Sequence, residues 1–407
     1  MKKKLTLKIS VLMLLFSVIL GILFGGIGGL ADPANWYITT LQSGDVGKHN
    51  SIATDSNGNA HISYLNGPSL YDGSMRLGYK YYDGSTWQYE TADIKQAPVP
   101  YGDTSIDLDG GDKPHISYFF QGLDYAYKDG SGWHTQTVDS VTAGHSSLAL
   151  DSGDKPHISY YAQDSDLKYT YYDGGTWHTE TVDSADDVGR FTSLALDSHN
   201  RPHISYGDYT NYDLKYAYYD GSTWHIEIVD SGYSSWGTSI ALDSGDKPHI
   251  SYCGDDPNFH LKYAYKEVSG WYTETVDSSG NVGMWYSSLA LDSGDKPHIT
   301  YYDYDHNTLK YAYSSSPWNI ETVDSTGDVG KYNSLALDNA NEAYISYYGS
   351  LKCATTKYIP AAVGGFWSPV NKLGLLAPYI GLASTILVAA VATAVYVKRV
   401  KRRKEKQ

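Results

Sequence analysis

"SLALDSGDKPHISYYAQDSDLKYTYYDGGTWHTETVDS" (Ser147–Ser184) breaks into four short runs of alternating or apolar residues: "SLALD", "PHISYY", "LKYTYY" and "WHTETVD". Turn residues separate them, "SGDK" after the first run and "DG" plus two residues after the third, which predicts tight antiparallel connections. The pattern then repeats along the chain. A Trp that follows a "DG" turn or its substitute recurs at Trp87, Trp133, Trp177, Trp224, Trp271 and Trp318, at spacings of 44 to 47 residues. Composition agrees with strands rather than helices, since 40 Tyr and 10 Trp stand against only 4 Met.

Four antiparallel strands recurring every ~45 residues predict the blades of a β-propeller. Six complete units begin near Ser51, Thr104, Ser146, Thr192, Thr238 and Ser287. A seventh, "NSLALDNANEAYISYYGSLKCATTKY" (333–358), stops after three strands. Its missing strand is found at the other end of the chain, where "NWYITTLQSGDVGKHNS" (35–51) matches "PWNIETVDSTGDVGKYNS" (317–334). The strand at 36–42 therefore completes blade seven and closes the ring, leaving no open sheet edge around the circle. The expected fold is all-β, a seven-bladed β-propeller of four-stranded antiparallel blades, followed by a C-terminal transmembrane helix.

The blade hairpins of the "YYDGSTW" type resemble those of the sialidase-like and fucose-lectin-like propeller superfamilies, over residues 36–358. "DGSTW" (83–87) is similar to the Asp-box of sialidases, Ser-x-Asp-x-Gly-x-Thr-Trp, at the same third-to-fourth strand turn. It has one residue fewer between Asp and Trp and lacks the leading Ser. The Asp-box is itself a fold-making turn, so the resemblance implies architecture rather than activity. A sialidase would also need an arginine triad, whereas residues 32–397 contain only Arg76, Arg190 and Arg201. Arg201 merely replaces the Lys of "KPH", and Arg190 the Lys of "GKY", so that triad cannot assemble.

The two ends predict location. Residues 1–31 carry four lysines and no acid around a long apolar run, as in a signal peptide cut after Ala31 or an uncleaved signal anchor. "LGLLAPYIGLASTILVAAVATAVYV" (373–397) is about long enough to cross a ~30 Å hydrocarbon core. Seven basic residues in 398–407 follow it, which predicts a cytoplasmic tail. "VGGFWSPVNKLGLLAPYIGLAS" also resembles the C-terminal anchors of archaeal surface proteins. The expected domains are thus 1–31 leader, 32–360 extracellular propeller, 361–372 linker, 373–397 membrane helix and 398–407 tail. Between the basic ends, 20 basic residues face 45 acidic ones, a net of −25. Such a surface repels phosphate backbones and argues against nucleic acid as a partner. Cys253 and Cys353 fall in non-adjacent repeats and are expected as two separate buried residues rather than a disulfide.

The most conspicuous repeated side chain is the histidine of "KPHISY", at residues 61, 115, 157, 203, 249 and 298, with Tyr344 in the seventh place. Second strands of different blades lie too far apart for their imidazoles to share one Zn²⁺ at ~2.0–2.1 Å. Six equal copies point instead to a fold-making role, the imidazole bonding a neighbouring turn or blade. The same holds for the repeated Trp, for "TETVDS" and for the Asp of "LALDS".

Function is therefore expected where the repeats differ: at the connections between blades and between second and third strands, which share one face. The residues entering each first strand should ring the mouth of the central channel. These supply the candidate ligand-binding set His49, Asp103, His145, Arg190, Phe191, Trp236, Trp285, Tyr286, Lys331 and Tyr332, with Trp236 and Trp285 in equivalent places on neighbouring blades. Aromatic faces beside polar groups suit sugar rings, whose C–H faces stack while their hydroxyls find partners; the alternative is that these rings plug the channel. A second candidate is the insertion 65–78 with Tyr71, Asp72 and Arg76. Acidic loops containing Asp255, Asp256, Asp303 and Asp305 could hold Ca²⁺, but without EF-hand spacing they read better as solvated turns. No other cofactor and no catalytic residue is expected. The functional expectation is a membrane-anchored cell-surface binder of glycans or another envelope polymer. The alternatives are a protein-interaction scaffold of the envelope, with an envelope protein as partner, and a non-sialidase glycoside hydrolase, whose carboxylate pair would be defined by distance rather than by sequence spacing.

Overall fold

The structure, a computed structural model, describes residues 36–357 apart from 68–73, 96–101, 121, 142, 233–235, 255–257 and 314–316. The expected leader, linker, membrane helix and tail lie outside the described residues, as do Tyr71, Asp72, Asp255 and Asp256. Among the described residues no helix is long and apolar enough to cross a membrane.

Seven four-stranded antiparallel sheets follow one another around a ring. Blade one comprises Val46–Thr54, Ala60–Asn66, Met75–Tyr82 and Trp87–Lys95, and the next five blades repeat that order. Blade seven takes Lys331–Leu337, Ala343–Tyr348 and Leu351–Thr355 and is completed by Tyr37–Gln42, with Tyr37 opposite Thr355. The split blade expected from the sequence is the one observed.

Strand position explains residue choice. Second strands are sandwiched between neighbouring blades, so both faces of "PHISYY" are buried: Ile62, Ile158, Ile250 and Ile345 are all wholly inaccessible. Each such isoleucine contributes about 1.5–3 kcal/mol of burial. The tyrosine two residues on, also buried, reaches across to the preceding blade. Tyr118 donates to Asp93 at 2.6 Å, Tyr206 to Asp183 at 2.7 Å, and Tyr301 to Asp277 at 2.7 Å. Asp183 and Asp277 are the "VD" ends of their fourth strands, and Asp93 is their counterpart in the "AD" of blade one, which explains that part of the repeat.

The repeated tryptophan is a second strap between blades. Trp133 stands edge-on to Tyr79 of the blade before it, at 5.2 Å between ring centroids, and its indole donates to Glu90 at 2.7 Å. Trp36 does the same across the closure, against Tyr311 and Glu321. Around the axis, Ile106 N donates to the Ser51 hydroxyl and Ile52 N to that of Ser334, both at 3.2 Å, so first strands are also linked in a ring.

The histidines are structural, and each ring faces the adjacent turn as expected while also meeting an unexpected partner on its own blade. Nδ1 of His61 meets the hydroxyl of Tyr79 at 2.6 Å, and that of His203 meets Tyr216 at 2.5 Å, each on the third strand of its own blade. Nε2 faces the Asp of the blade's own turn, as at 3.6 Å between His61 and Asp55. Pairing of the second and third strands brings that tyrosine beside the ring within the same blade. Burial pushes all six imidazoles below the ordinary histidine range.

The "SGDK" turns join blade to blade on one face. Asp112 accepts from Ser56 N at 2.8 Å, Asp246 from Ser198 N at 2.9 Å and Asp295 from Ser244 N at 2.9 Å. At the closure the matching residue is Gly58, and its carbonyl instead accepts from Tyr344 at 2.8 Å and from Lys357 Nζ at 3.0 Å. Both ends of the described chain, Trp36 and Lys357, thus lie on this turn face. Cys253 and Cys353 lie in separate blades, each a buried thiol rather than half of a disulfide, as expected.

Candidate functional site

At the opposite face the first strands are interrupted by bulges. Pairing shifts register between Lys48 and Ser51, between Arg190 and Ser193, and between Lys331 and Ser334. A bulge re-aims a side chain and bends its strand. Here it turns one residue in six of the seven blades into the left-handed region: His49 (φ 50°), His145 (53°), Phe191 (54°), Gly237 (57°), Trp285 (66°) and Tyr332 (50°). That conformation costs an L-residue roughly 1–2 kcal/mol. Glycine would avoid the cost, yet only blade five uses it; the other five bulges carry an imidazole or aromatic ring.

These rings surround a cavity of 380 Å³. His49, Asp103, His145 and Phe191 line it from blades one to four, and Trp285, Tyr286 and Tyr332 from blades six and seven. Ring centroids step round the wall at 4.3 Å from His49 to Tyr332, 4.4 Å from Tyr332 to Tyr286, and 4.4 Å from His145 to Phe191. The rings therefore wall the mouth rather than fill it.

One residue deeper lies a polar tier with Asn50, Thr192, Thr238, Ser287 and Asn333. Its members hold the bulges in place. Asn50 Nδ2 donates to the carbonyl of Tyr332 at 2.7 Å, the Thr238 hydroxyl to that of Phe191 at 2.9 Å, and the Ser287 hydroxyl to that of Gly237 at 2.7 Å. Sequence reasoning passed over this tier because Ser and Thr there look like ordinary strand residues. The one available signal was Asn in place of Ser or Thr in "KHNS" and "KYNS".

Three candidates stand outside the cavity. Arg190 is held by Asp187, from Nε at 3.1 Å and Nη2 at 2.8 Å, with its guanidinium 4.3 Å from the Tyr209 ring centroid. Lys331 is bonded to Asp328 at 2.6 Å. Trp236 packs behind the wall, edge-on to Tyr209 at 5.0 Å and 6.3 Å from Trp285. It is thus not the structural equivalent of Trp285. Blade six has one more residue between Val282 and Leu289 than blade four has between Val188 and Leu194. The extra residue moves the left-handed position to Trp285, whose backbone then presses on Gly237: a Cβ there would lie 2.9 Å from the Trp285 carbonyl carbon.

The cavity side chains open partly to its interior but are otherwise enclosed by protein, and their protonation reflects the lost water. Burial, then the nearby His145 and Lys48, lowers the His49 pKa to about 3. Burial, then Arg190, lowers that of His145 to about 4. Burial raises Asp103 to about 7, partly opposed by backbone N–H groups, that of Thr104 donating at 2.9 Å. Both imidazoles are neutral at pH 7, and each offers one donor and one acceptor.

The other sequence candidates are placed differently. Arg76 lies on the third strand of blade one, opposite Asn66 and Ile94, so both ends of the insertion 65–78 are strand. Asp303 is buried against Lys310 Nζ at 2.8 Å, and Asp305 accepts from Asn281 N at 2.9 Å, so internal donors occupy both carboxylates. Asp197, His199 and Asp246 cluster on the turn face, but Arg201 Nε lies on Asp197 at 2.7 Å, which disfavours a cation there. In "DGSTW", the Asp83 carboxylate accepts from Ser85 N and Thr86 N, closing its own turn.

No family model matches this chain, and no curated protein matches it either. Among solved structures it is similar to an ulvan lyase of polysaccharide lyase family PL25 bound to -[GlcA(1-4)Rha3S]-, at 13% identity over 86% of this chain and 99% of that one, with a TM-score of 0.55. The SapL1 lectin in complex with alpha methyl fucoside follows at 15% identity over 69% and 96%, TM-score 0.47. The NanB sialidase from Streptococcus pneumoniae stands at 13% identity over 81% and 71%, TM-score 0.45. At these identities what the likeness to the lyase shows is the fold, a propeller of four-stranded antiparallel blades, here with seven of them.

Proposed function

We propose that the protein is a surface-tethered binder of glycans, held by the C-terminal segment 373–397 with the propeller outside the cell, and that the ligand sits in the mouth cavity. One observation carries this reading: five bulges hold aromatic or imidazole rings in a backbone conformation that costs energy, round a cavity of 380 Å³. Strain kept against an available glycine alternative marks side chains retained for contact. The cavity is of ligand-pocket size. Its wall supplies flat faces for sugar C–H surfaces, and His49, His145 and the deeper tier supply donors and acceptors for hydroxyls. A protein of similar fold, the ulvan lyase, is described with a saccharide bound, an acidic one, so this likeness supports a glycan ligand in general and not its charge. The test is a glycan array with the purified protein and its Trp285→Ala variant. Loss of a stacking ring worth roughly 1.4 kcal/mol weakens binding about tenfold. A well-folded protein that binds no glycan refutes the reading and leaves envelope scaffolding as the next idea to test.

A further inference from the structure

We infer that the mouth selects uncharged sugars and rejects acidic ones such as uronates, sialic acids and sulfated residues. This rests on the mouth being a glycan site, and it narrows the ligand class through an inventory of charge. Three cations stand on the first strands beside the mouth but outside the cavity, and each is paired with a nearby acid. Lys48 bonds Asp45 at 3.0 Å, Arg190 bonds Asp187 at 2.8 Å and Lys331 bonds Asp328 at 2.6 Å. The rule is local in sequence: "GDVGKHN", "DDVGRFT" and "GDVGKYN" each place the acid three residues before the base. Blades two and three have Gly102 and Gly144 at the same place, blade five has Trp236 and blade six Trp285, so they add no cation.

Inside the cavity the lining is uncharged except for Asp103. His49 and His145 stay neutral, because protonating either would place a cation in a walled, water-poor site beside another base. An anionic sugar would therefore lose its hydration without meeting a free cation among the described residues, and would approach a segment, 32–397, of net charge −25 and, as pH rises through about 7, an ionised Asp103. A neutral sugar needs only ring faces and paired donors and acceptors, which the wall and tier provide.

The test compares a panel of neutral oligosaccharides with the matching uronate-containing, sialylated and sulfated ones, by direct binding at fixed ionic strength. Wild-type protein is expected to bind neutral members at least tenfold more tightly. Asp187→Asn, Asp328→Asn and the double variant each release a cation towards the mouth and should gain several-fold for acidic members while leaving neutral ones little changed. Melting curves confirm that each is folded, and because the pairs are independent, loss of one variant leaves the other informative. Equal or tighter binding of acidic sugars that Trp285→Ala abolishes overturns the charge inference while leaving the glycan reading intact. Absence of binding to every member overturns the glycan reading itself.

Discussion

Substituting Gly237 by alanine tests how the mouth is built. The residue sits at φ +57°, so an alanine there costs roughly 1–2 kcal/mol for the left-handed backbone alone. The new Cβ would also lie 2.9 Å from the carbonyl carbon of Trp285, 3.1 Å from its oxygen and 3.2 Å from Tyr286 N. All three atoms are backbone, so no side-chain rotation relieves the contact and blade six must shift. Overpacking of this kind costs about 1–3 kcal/mol. The expected loss is therefore about 2–5 kcal/mol. Gly84→Ala separates the two contributions, because Gly84 has φ +89° but nothing within 4 Å of its built Cβ. Its less favourable angle makes it a stringent control. Urea unfolding of both variants against wild type gives the comparison, provided the slopes agree. If Gly237→Ala is no less stable than Gly84→Ala, the close approach of blades five and six is wrong, and with it the account of why Trp285 rather than Trp236 faces the cavity.

Acid should unfold the protein early. His49 and His145 have folded pKa values of about 3 and about 4, below the unfolded 6.5, so the unfolded chain binds more protons and stability falls as pH drops below about 6.5. Each is expected to cost about 2 kcal/mol by pH 5, which His49→Gln should partly restore in denaturation midpoints measured at pH 5 and pH 7.5. Asp103 acts oppositely: its folded pKa of about 7 exceeds the unfolded 3.8, so its stabilising contribution is complete below pH 3.8 and is lost as pH rises to 7. Asp103→Asn should gain on wild type by about 1–3 kcal/mol at pH 8 and not at pH 4; equal behaviour at both pH values would contradict its burial. Tyr301→Phe removes the 2.7 Å bond to Asp277 between blades and should cost about 1.5–3 kcal/mol in the same assay. Deleting residues 36–42 leaves blade seven with three strands, and the expected result is a species that exchanges blade-seven amides rapidly and self-associates, checked by hydrogen exchange and light scattering.

Blade number and closure were legible because every blade repeats the same order of strand and turn residues, and because "GDVGKHNS" (44–51) matches "GDVGKYNS" (327–334) at all but the bulge residue itself. Seven of the ten mouth candidates line the cavity for the same reason: position within a repeat is a coordinate. The failures share a physical origin. Trp236 and Trp285 align in sequence, yet one added residue in blade six moves the bulge, and a backbone twist leaves no trace in residue type. The second partner of each repeated histidine was missed because strand pairing brings the third-strand tyrosine to it across a connection of varying length, 10 residues for His115 and 18 for His61. The polar tier was missed because its hydroxyls point at carbonyls that become available only when the neighbouring strand bulges.

Where the chain enters and leaves the ring also governs what the mouth can meet. Trp36 and Lys357 both lie on the turn face, beside the seam that Lys357 clasps through the Gly58 carbonyl, whereas the cavity opens on the other side. Both points of attachment therefore lie on the face opposite the cavity mouth. On the proposal that 373–397 is held in a membrane, attachment on that face leaves the mouth unobstructed at the point where the chain departs.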